Sequence, residues 1–268
     1  MTDQSAELRA ALECAARASA RIMELYASFA AISDAPAEIS TQADRDSQEI
    51  ILQALCRAFP ADAKVAEEST PTQEASPRAG RRLWIVDPID GTRGFAQKNG
   101  EFSVMVALAV DGEAVVGVVQ EPALGRVTFA EKGRGCWRID GGTAAQPCRV
   151  RENAALDRCI LVQSRSRKGE TSKAARVLAP ARIDETHSAG VKLARVARGE
   201  ADVYANHYAS FKDWDIAAGD ILVAEADGLV TGLGGEAIRY GGEGNRQESG
   251  LLAASSAIHA AALAALRG

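Results

Sequence analysis

The chain has 268 residues, 47% of them apolar and 25% charged, and a formal net charge of −5. That length supports a large core in one big domain or two modest ones. The net acidity argues against non-specific nucleic-acid binding, which needs a basic face. Five widely spaced cysteines, Cys14, Cys56, Cys136, Cys148 and Cys159, include no CxxC pair, so reduced thiols are expected rather than a disulfide framework or a zinc site. The first residues lack a basic region followed by an apolar core. No apolar run approaches the length of about 18 residues that a membrane span needs. A cytoplasmic protein with no membrane and no nucleic-acid polymer as partner is therefore expected.

In chain order, apolar residues from Leu8 to Phe29 recur near the 3.6 period and predict a helix over residues 5–31. Pro36 marks a loop. Thr41-Gln42-Ala43-Asp44 then opens a second helix, whose apolar face runs from Ile50 to Phe59 and which Pro60 ends. A short strand is expected at residues 64–66, an exposed loop at 70–82, and a buried strand at 83–87. Two β-rich runs, 102–110 and 114–120, flank Asp111-Gly112, a hairpin signal. Residues 127–130 and 135–139 extend that pattern. The first half reads as two helices on a largely antiparallel sheet. The second half alternates: strands at 159–163, 182–185, 201–205 and 251–254, with helices at 171–178, 191–198, 214–226 and 256–266. Such alternation points to an α/β layer. The expected division is 1–153, an N-terminal α+β half, and 154–268, a C-terminal α/β half.

Three acidic groups stand at predicted element junctions: Glu67-Glu68, Asp87 with Asp90, and Asp215. Strand ends and helix starts are where α/β proteins place binding groups. Carboxylates without neighbouring Cys or His suit a hard cation such as Mg²⁺ rather than Zn²⁺. Pro88 fixes φ and removes a donor, so a turn after Asp87 can aim both aspartates, and the Ile89 carbonyl, at one point. Gly91 admits close approach of an anion to the backbone, and Thr92 offers a hydroxyl. Taken singly, each group has a plainer reading: Asp-Pro and Asp-Gly are common turn dipeptides, Glu-Glu is commonly a solvated loop, and Asp215 suits a helix N-terminus. Their joint occurrence in this order carries the inference.

Glu67-Glu68-Ser69, Trp84-Ile85-Val86-Asp87-Pro88-Ile89-Asp90-Gly91-Thr92 and Trp214-Asp215-Ile216-Ala217-Ala218-Gly219 resemble the ordered motif set of the inositol monophosphatase-like superfamily over nearly the whole chain. The resemblance implies an α/β (α+β) fold, a layered α/β/α/β/α sandwich of the sugar-phosphatase type. It also implies a lithium-sensitive, Mg²⁺-dependent phosphomonoesterase with two or three Mg²⁺ per site. Glu67, Asp87, the Ile89 carbonyl, Asp90 and Asp215 would be metal ligands. Asp44 and Thr92 would orient and deprotonate the attacking water, with Glu68 helping to hold a further metal. Gly91 and Thr92 would grip the phosphate.

Asn99-Gly100-Glu101-Phe102-Ser103-Val104, Val162-Gln163-Ser164-Arg165-Ser166-Arg167 and Ser188-Ala189-Gly190-Val191-Lys192 are similar to stretches of the CysQ-type 3′(2′),5′-bisphosphate nucleotidase branch. That similarity implies removal of the 3′-phosphate of 3′-phosphoadenosine 5′-phosphate, with Ser164, Arg167, Ser188 and Lys192 on the substrate. The plainer reading of Lys192 is an exposed helix lysine. A phosphatase for inositol 1-phosphate or histidinol phosphate is the alternative, and a non-catalytic binding member is a third reading. Expected partners are a small phosphorylated substrate and a second copy of the chain as a homodimer.

Overall fold

A computed structural model describes residues 4–36, 39–153, 155–165, 171–208 and 211–268. The first half comprises α1 (Ala6–Ser28), α2 (Gln42–Ala58), β1 (Ala63–Ala66), α3 (Pro71–Ala75), β2 (Arg82–Asp90), α4 (Thr92–Ala96), β3 (Ser103–Val110), β4 (Glu113–Glu121), β5 (Arg126–Glu131), β6 (Cys136–Asp140) and β7 (Gln146–Cys148). The second comprises β8 (Ile160–Gln163), α5 (Lys173–Leu178), β9 (Arg182–Glu185), α6 (Ala189–Ala197), β10 (Val203–Asn206), β11 (Phe211–Lys212), α7 (Asp213–Glu225), β12 (Gly228–Thr231), β13 (Arg246–Gln247), β14 (Leu251–Ser255) and α8 (Ser256–Arg267).

Strands β1 to β7 form one seven-stranded sheet in sequence order, and β12-β14-β10-β8-β9 form a second sheet of five. Only β1 and β2 are parallel in the first; every later neighbour there is antiparallel. Alternation along β2 sorts its side chains. Trp84 and Val86 join the core beneath α1 and α2, whereas Leu83 and Ile85 join a central core with Leu193 of α6, Leu222 of α7 and Tyr204 of the second sheet. The far face of that second sheet packs Leu161, Val203 and Leu252 against Leu178 of α5 and Ile258 of α8. The result is five layers, α/β/α/β/α, as the resemblance implied. The central layer draws on residues from both halves of the chain.

Helix α1 starts at Ser5, whose side chain accepts from the Leu8 N–H, an N-cap that satisfies one of the helix's orphan donors. The β3–β4 hairpin closes through Asp111 and Gly112, both with positive φ (52° and 79°), the twist a two-residue hairpin needs. Several elements depart from expectation, among them the two-residue strands β11 and β13, which were not predicted. Residues 71–75, expected within an exposed loop, form α3, with Pro71 at its first turn and Gln73 buried and donating to the Lys64 carbonyl. Strands β7 and β12 were not anticipated. Each is short, three and four residues, and holds a Pro or Gly that reads as a turn signal. The five cysteines are free, and all but Cys56 are buried.

Candidate active site

Because β1 and β2 are parallel, with Ala66 opposite Val86, Glu67 and Asp87 leave neighbouring strands at the same end. Against β3, Asp87 pairs with Met105 and Asp90 with Ser103, so three steps on β2 match two on β3. Pro88 has no N–H to give the ladder, and the extra residue forms a bulge. The Pro88 carbonyl instead accepts from the Ser47 hydroxyl of α2 at 3.0 Å. The chain then turns at Gly91, with φ +86°, where a Cβ would stand 2.7 Å from the Glu101 carbonyl oxygen. Only glycine fits there, and it delivers Thr92 to the start of α4.

The Thr92 hydroxyl lies 3.0 Å from Asp44 Oδ1 and 2.8 Å from the Ile89 carbonyl oxygen. Asp44 is fully buried at the start of α2, where its Oδ2 accepts from the Thr41 N–H (2.8 Å) and hydroxyl (2.6 Å). Burial raises the Asp44 carboxyl above its ordinary value, while the hydrogen bonds from Thr41 and Thr92 hold the shift back. One turn further along α2, Gln48 clamps the Glu67-Glu68 loop. Its Nε2 donates to the Glu68 carbonyl (2.6 Å), and its Oε1 accepts from the Glu68 N–H (2.8 Å).

Asp90 is seated on the N-terminus of α6. It accepts from the Ala189 N–H (3.1 Å), the Gly190 N–H (2.6 Å), the Ser188 hydroxyl and the Ser103 hydroxyl (3.4 Å), a helix end suited to an anion. Asp215 stands in the first turn of α7, where it accepts from the Lys212 N–H at 2.7 Å. Two sheet strands and three helix starts thus bring five acidic side chains around one cavity of 760 Å³. Its lining includes Glu67, Glu68, Asp87, Asp90, Thr92 and Asp215. Asp44 stands behind Thr92.

The electrostatics of this group are unfavourable as it stands. Desolvation, then the charges of Asp215, Asp44, Glu68 and Asp90, push Glu67 up to about 8, although its side chain opens to solvent at the cavity mouth. Burial, with some repulsion from Asp90, takes Asp215 to about 7. Asp87 is raised well above the carboxylate range by burial and by its acidic neighbours, Glu67 first among them. Its Oδ1 is buried without any hydrogen-bond partner. Among the described residues no three of these side chains form a ready cage for a cation; the shared cavity and the mutual repulsion unite them. A hard cation fits this set. The donors are all oxygens, and an orphaned buried carboxylate oxygen is a position that a cation would satisfy.

The substrate-side residues fare differently. Lys192 is 1% exposed, against the plainer reading of a surface lysine. Its ammonium donates to Ser164 Oγ (3.0 Å), the Thr186 carbonyl (3.2 Å) and the His187 carbonyl (3.0 Å), which uses all three protons. It therefore ties the loops after β8 and β9 together and brings positive charge to the cavity wall. Ser164 lines the cavity. Ser188 has no exposed surface to offer a ligand: it caps α6 through the Val191 N–H and donates to Asp90. Arg167 lies outside the described residues. Sequence reasoning assigned no role to Gln48, Ser103, Arg93 or the aromatic wall of Tyr204, Tyr208 and Phe211. Gln48 was within reach, since it sits four residues after Asp44 on the same helix face; the others depend on long-range packing. A larger groove of 830 Å³, lined by Leu8, Phe129 and Trp137, shares no residue with this cavity.

Known proteins share this fold. The family model described as the inositol monophosphatase family matches residues 3–268. A fructose-1,6-bisphosphatase/inositol-1-monophosphatase of Thermotoga maritima is 35% identical over 201 residues, covering 74% of this chain and 73% of that protein. A 3′(2′),5′-bisphosphate nucleotidase CysQ of Salmonella typhimurium is 30% identical over 202 residues, covering 75% and 78%. A histidinol-phosphatase of Mycobacterium tuberculosis stands at the same level, 34% identical with 75% and 77% covered. The solved structure of a Thermotoga maritima IMPase superposes with a TM-score of 0.81 at 28% identity, covering 98% of this chain and 97% of that one. With that family model spanning nearly every residue and relatives that are all phosphatases, the chain belongs to the inositol monophosphatase family and is a phosphoric monoester hydrolase.

Proposed function

We propose that this phosphatase is Mg²⁺-dependent and removes the 3′-phosphate of 3′-phosphoadenosine 5′-phosphate to give AMP. The observation that carries the metal dependence is the buried, unpartnered Oδ1 of Asp87 among acidic neighbours that raise one another's pKa. Burying uncompensated like charges is costly unless a cation offsets them. Glu67, Asp87, the Ile89 carbonyl, Asp90 and Asp215 would hold the ions, with Glu68 beside them. Bound Mg²⁺ would supply Lewis acidity and offset the charge of the phosphate.

The chain's own residues do the remainder. Thr92 has a single hydroxyl proton and two acceptors in reach, Asp44 and the Ile89 carbonyl. With the carbonyl otherwise engaged, that proton goes to Asp44, and the Thr92 oxygen is free to accept from the attacking water. Asp44, its basicity raised by burial, is then the proton's destination through Thr92. Backbone N–H groups of Gly91 and Thr92 at the turn are suited to the phosphate oxygens.

Two features support a nucleotide over a smaller polyol. Arg93 and buried Lys192 line the cavity together with Arg165, whose guanidinium is paired with Glu101, and the cationic charge of Arg93 and Lys192 would suit a second phosphate. Tyr208 is 58% exposed and packs edge-on to Phe211 at the cavity rim, 6.0 Å between centroids, a surface on which a base can stack. A panel of adenosine 3′,5′-bisphosphate, inositol 1-phosphate and histidinol phosphate at saturating Mg²⁺ tests this. The highest kcat/KM is expected on the bisphosphonucleotide. Equal or higher kcat/KM on inositol 1-phosphate or histidinol phosphate would favour the polyol or amino-alcohol reading, to which the relatives of those names lend equal weight.

A further inference from the structure

Away from the cavity, Cys136 of β6 and Cys148 of β7 are direct cross-strand partners. Being opposite each other, they point to the same face of the sheet, and both are buried. Directly opposed residues in an antiparallel pair have Cα atoms about 4.5–5.5 Å apart, inside the range of about 4.4–6.8 Å that a disulfide spans. Among the described residues, the Cys148 thiol reaches only the Gln146 carbonyl, at 4.0 Å. We propose that Cys136 and Cys148 form a two-cysteine site that reacts with a small disulfide oxidant of the glutathione class and closes reversibly to an intramolecular disulfide across the β6–β7 edge.

Three observations distinguish this pair from the other cysteines. First, β7 is an edge strand of three residues, and Pro147 in its middle has no N–H for the ladder, so it can peel back and admit a small oxidant. Second, the neighbouring Cys136 thiol, helped by the positive charge of Arg198, lowers the Cys148 thiol, which makes Cys148 the attacking group. Third, burial pushes Cys14 up to about 12 and Cys159 up to about 11, and the Cys148 thiol together with burial raises Cys136, so Cys148 is the buried thiol set to attack first. Cys56 is partly exposed but faces the Ser76 hydroxyl, not a second thiol.

The reaction balances in two exchanges. The Cys148 sulfur attacks one sulfur of oxidised glutathione, forming a mixed disulfide and releasing one glutathione thiolate, which takes the Cys148 proton. The Cys136 sulfur then attacks the Cys148 sulfur, expelling a second glutathione that takes the Cys136 proton. The two cysteines lose two electrons, and one glutathione disulfide is reduced to two thiols. Closure would pin β7, whose continuation reaches the ends of two central helices. The Val150 N–H donates to the Ala226 carbonyl just beyond α7, and the Arg149 carbonyl packs against Gly199 just beyond α6.

The test is to incubate the full chain with oxidised glutathione, alkylate the remaining thiols and map peptides by mass spectrometry. The expected result is loss of two thiols, a crosslinked peptide joining Cys136 to Cys148, reversal by dithiothreitol and a rise in Tm of roughly 5 °C. The C136A variant should instead retain glutathione on Cys148, since the resolving thiol is gone. Oxidation that begins at Cys56, a stable glutathione adduct on Cys148 in the unmutated chain, or five thiols untouched while glutathione disulfide is in excess would each overturn the proposal. The readout on the unmutated chain stands even where a variant folds poorly.

Discussion

Asp87 and Asp90 share a motif but have opposite surroundings. Asp90 is held by two backbone N–H groups and the hydroxyls of Ser188 and Ser103, whereas Asp87 has one oxygen with nothing to accept from. Asp87→Asn should therefore be tolerated by the fold and should relieve repulsion with Glu67. The expected outcome is phosphate release at least ~10²-fold lower, together with a metal-free Tm a few degrees higher. A lower metal-free Tm by calorimetry would contradict the account of that site. Thr92→Val keeps the shape and removes the hydroxyl between Asp44 and the Ile89 carbonyl. A kcat loss of ~10²–10⁴ with KM nearly unchanged is expected from steady-state kinetics; a rise in KM alone would assign Thr92 to binding. At this scale the acidic residues were legible because their side chains repeat hard-oxygen chemistry at element junctions. Ser188 and Lys192 were not, because the sequence hides burial: a lysine on α6 reads as exposed until the β8 and β9 loops fold over it.

Among elements, the long ones were legible, and so were the four-residue strands β1, β8, β9 and β10; the elements that were missed are all short. Helices α1 and α2 and the β3–β4 hairpin carry many periodic positions and explicit turn chemistry, so local pattern and tertiary packing agree. Helix α3 and strands β7 and β12 span five residues or fewer and owe their existence to neighbours. The bulge in β2 was read as a turn that ends the strand at Asp87. The strand in fact continues to Asp90, because Ser103 offers a pairing partner beyond the extra residue. Helices α6 and α7, which carry the cap of Asp90 and the Asp215 carboxylate, cross closely at Gly219, where a Cβ would stand 2.4 Å from Leu193 Cδ1. Gly219→Ala should cost about 1–3 kcal/mol by urea denaturation, and the spread helices should weaken Mg²⁺ activation as well. Unchanged stability would show that the crossing has slack.

For the whole molecule, five layers meet so that the ends of both β1 and β2 and the starts of α2, α6 and α7 surround one cavity. The acids placed there make the metal-free protein self-repelling, and this has a pH signature. Glu67 at about 8 and Asp215 at about 7 in the fold bind protons more tightly than the unfolded chain, whose carboxylates titrate near their ordinary values of 4.5 and 3.8. The folded state therefore holds more protons across that window, and stability in a chelator should fall as pH rises from about 4.5 to about 8. Tm measured in EDTA across this range should decline, and added Mg²⁺ should restore it at the alkaline end. A Tm that climbs with pH in EDTA would run against the coupled-acid picture. The layer order was readable from the alternation of predicted elements together with the motif resemblance. The sharing of the central core between the two halves was not, since only the folded chain places Leu83 beside Leu193 and Tyr204.

The most direct test of the central claim is release of inorganic phosphate from adenosine 3′,5′-bisphosphate, measured on the EDTA-stripped protein as Mg²⁺ is titrated back. The expected result is no turnover above background in EDTA, saturable activation by Mg²⁺, and none in the Asp87→Asn variant. Turnover that persists undiminished in EDTA, or a variant as active as the unmutated chain, would contradict it.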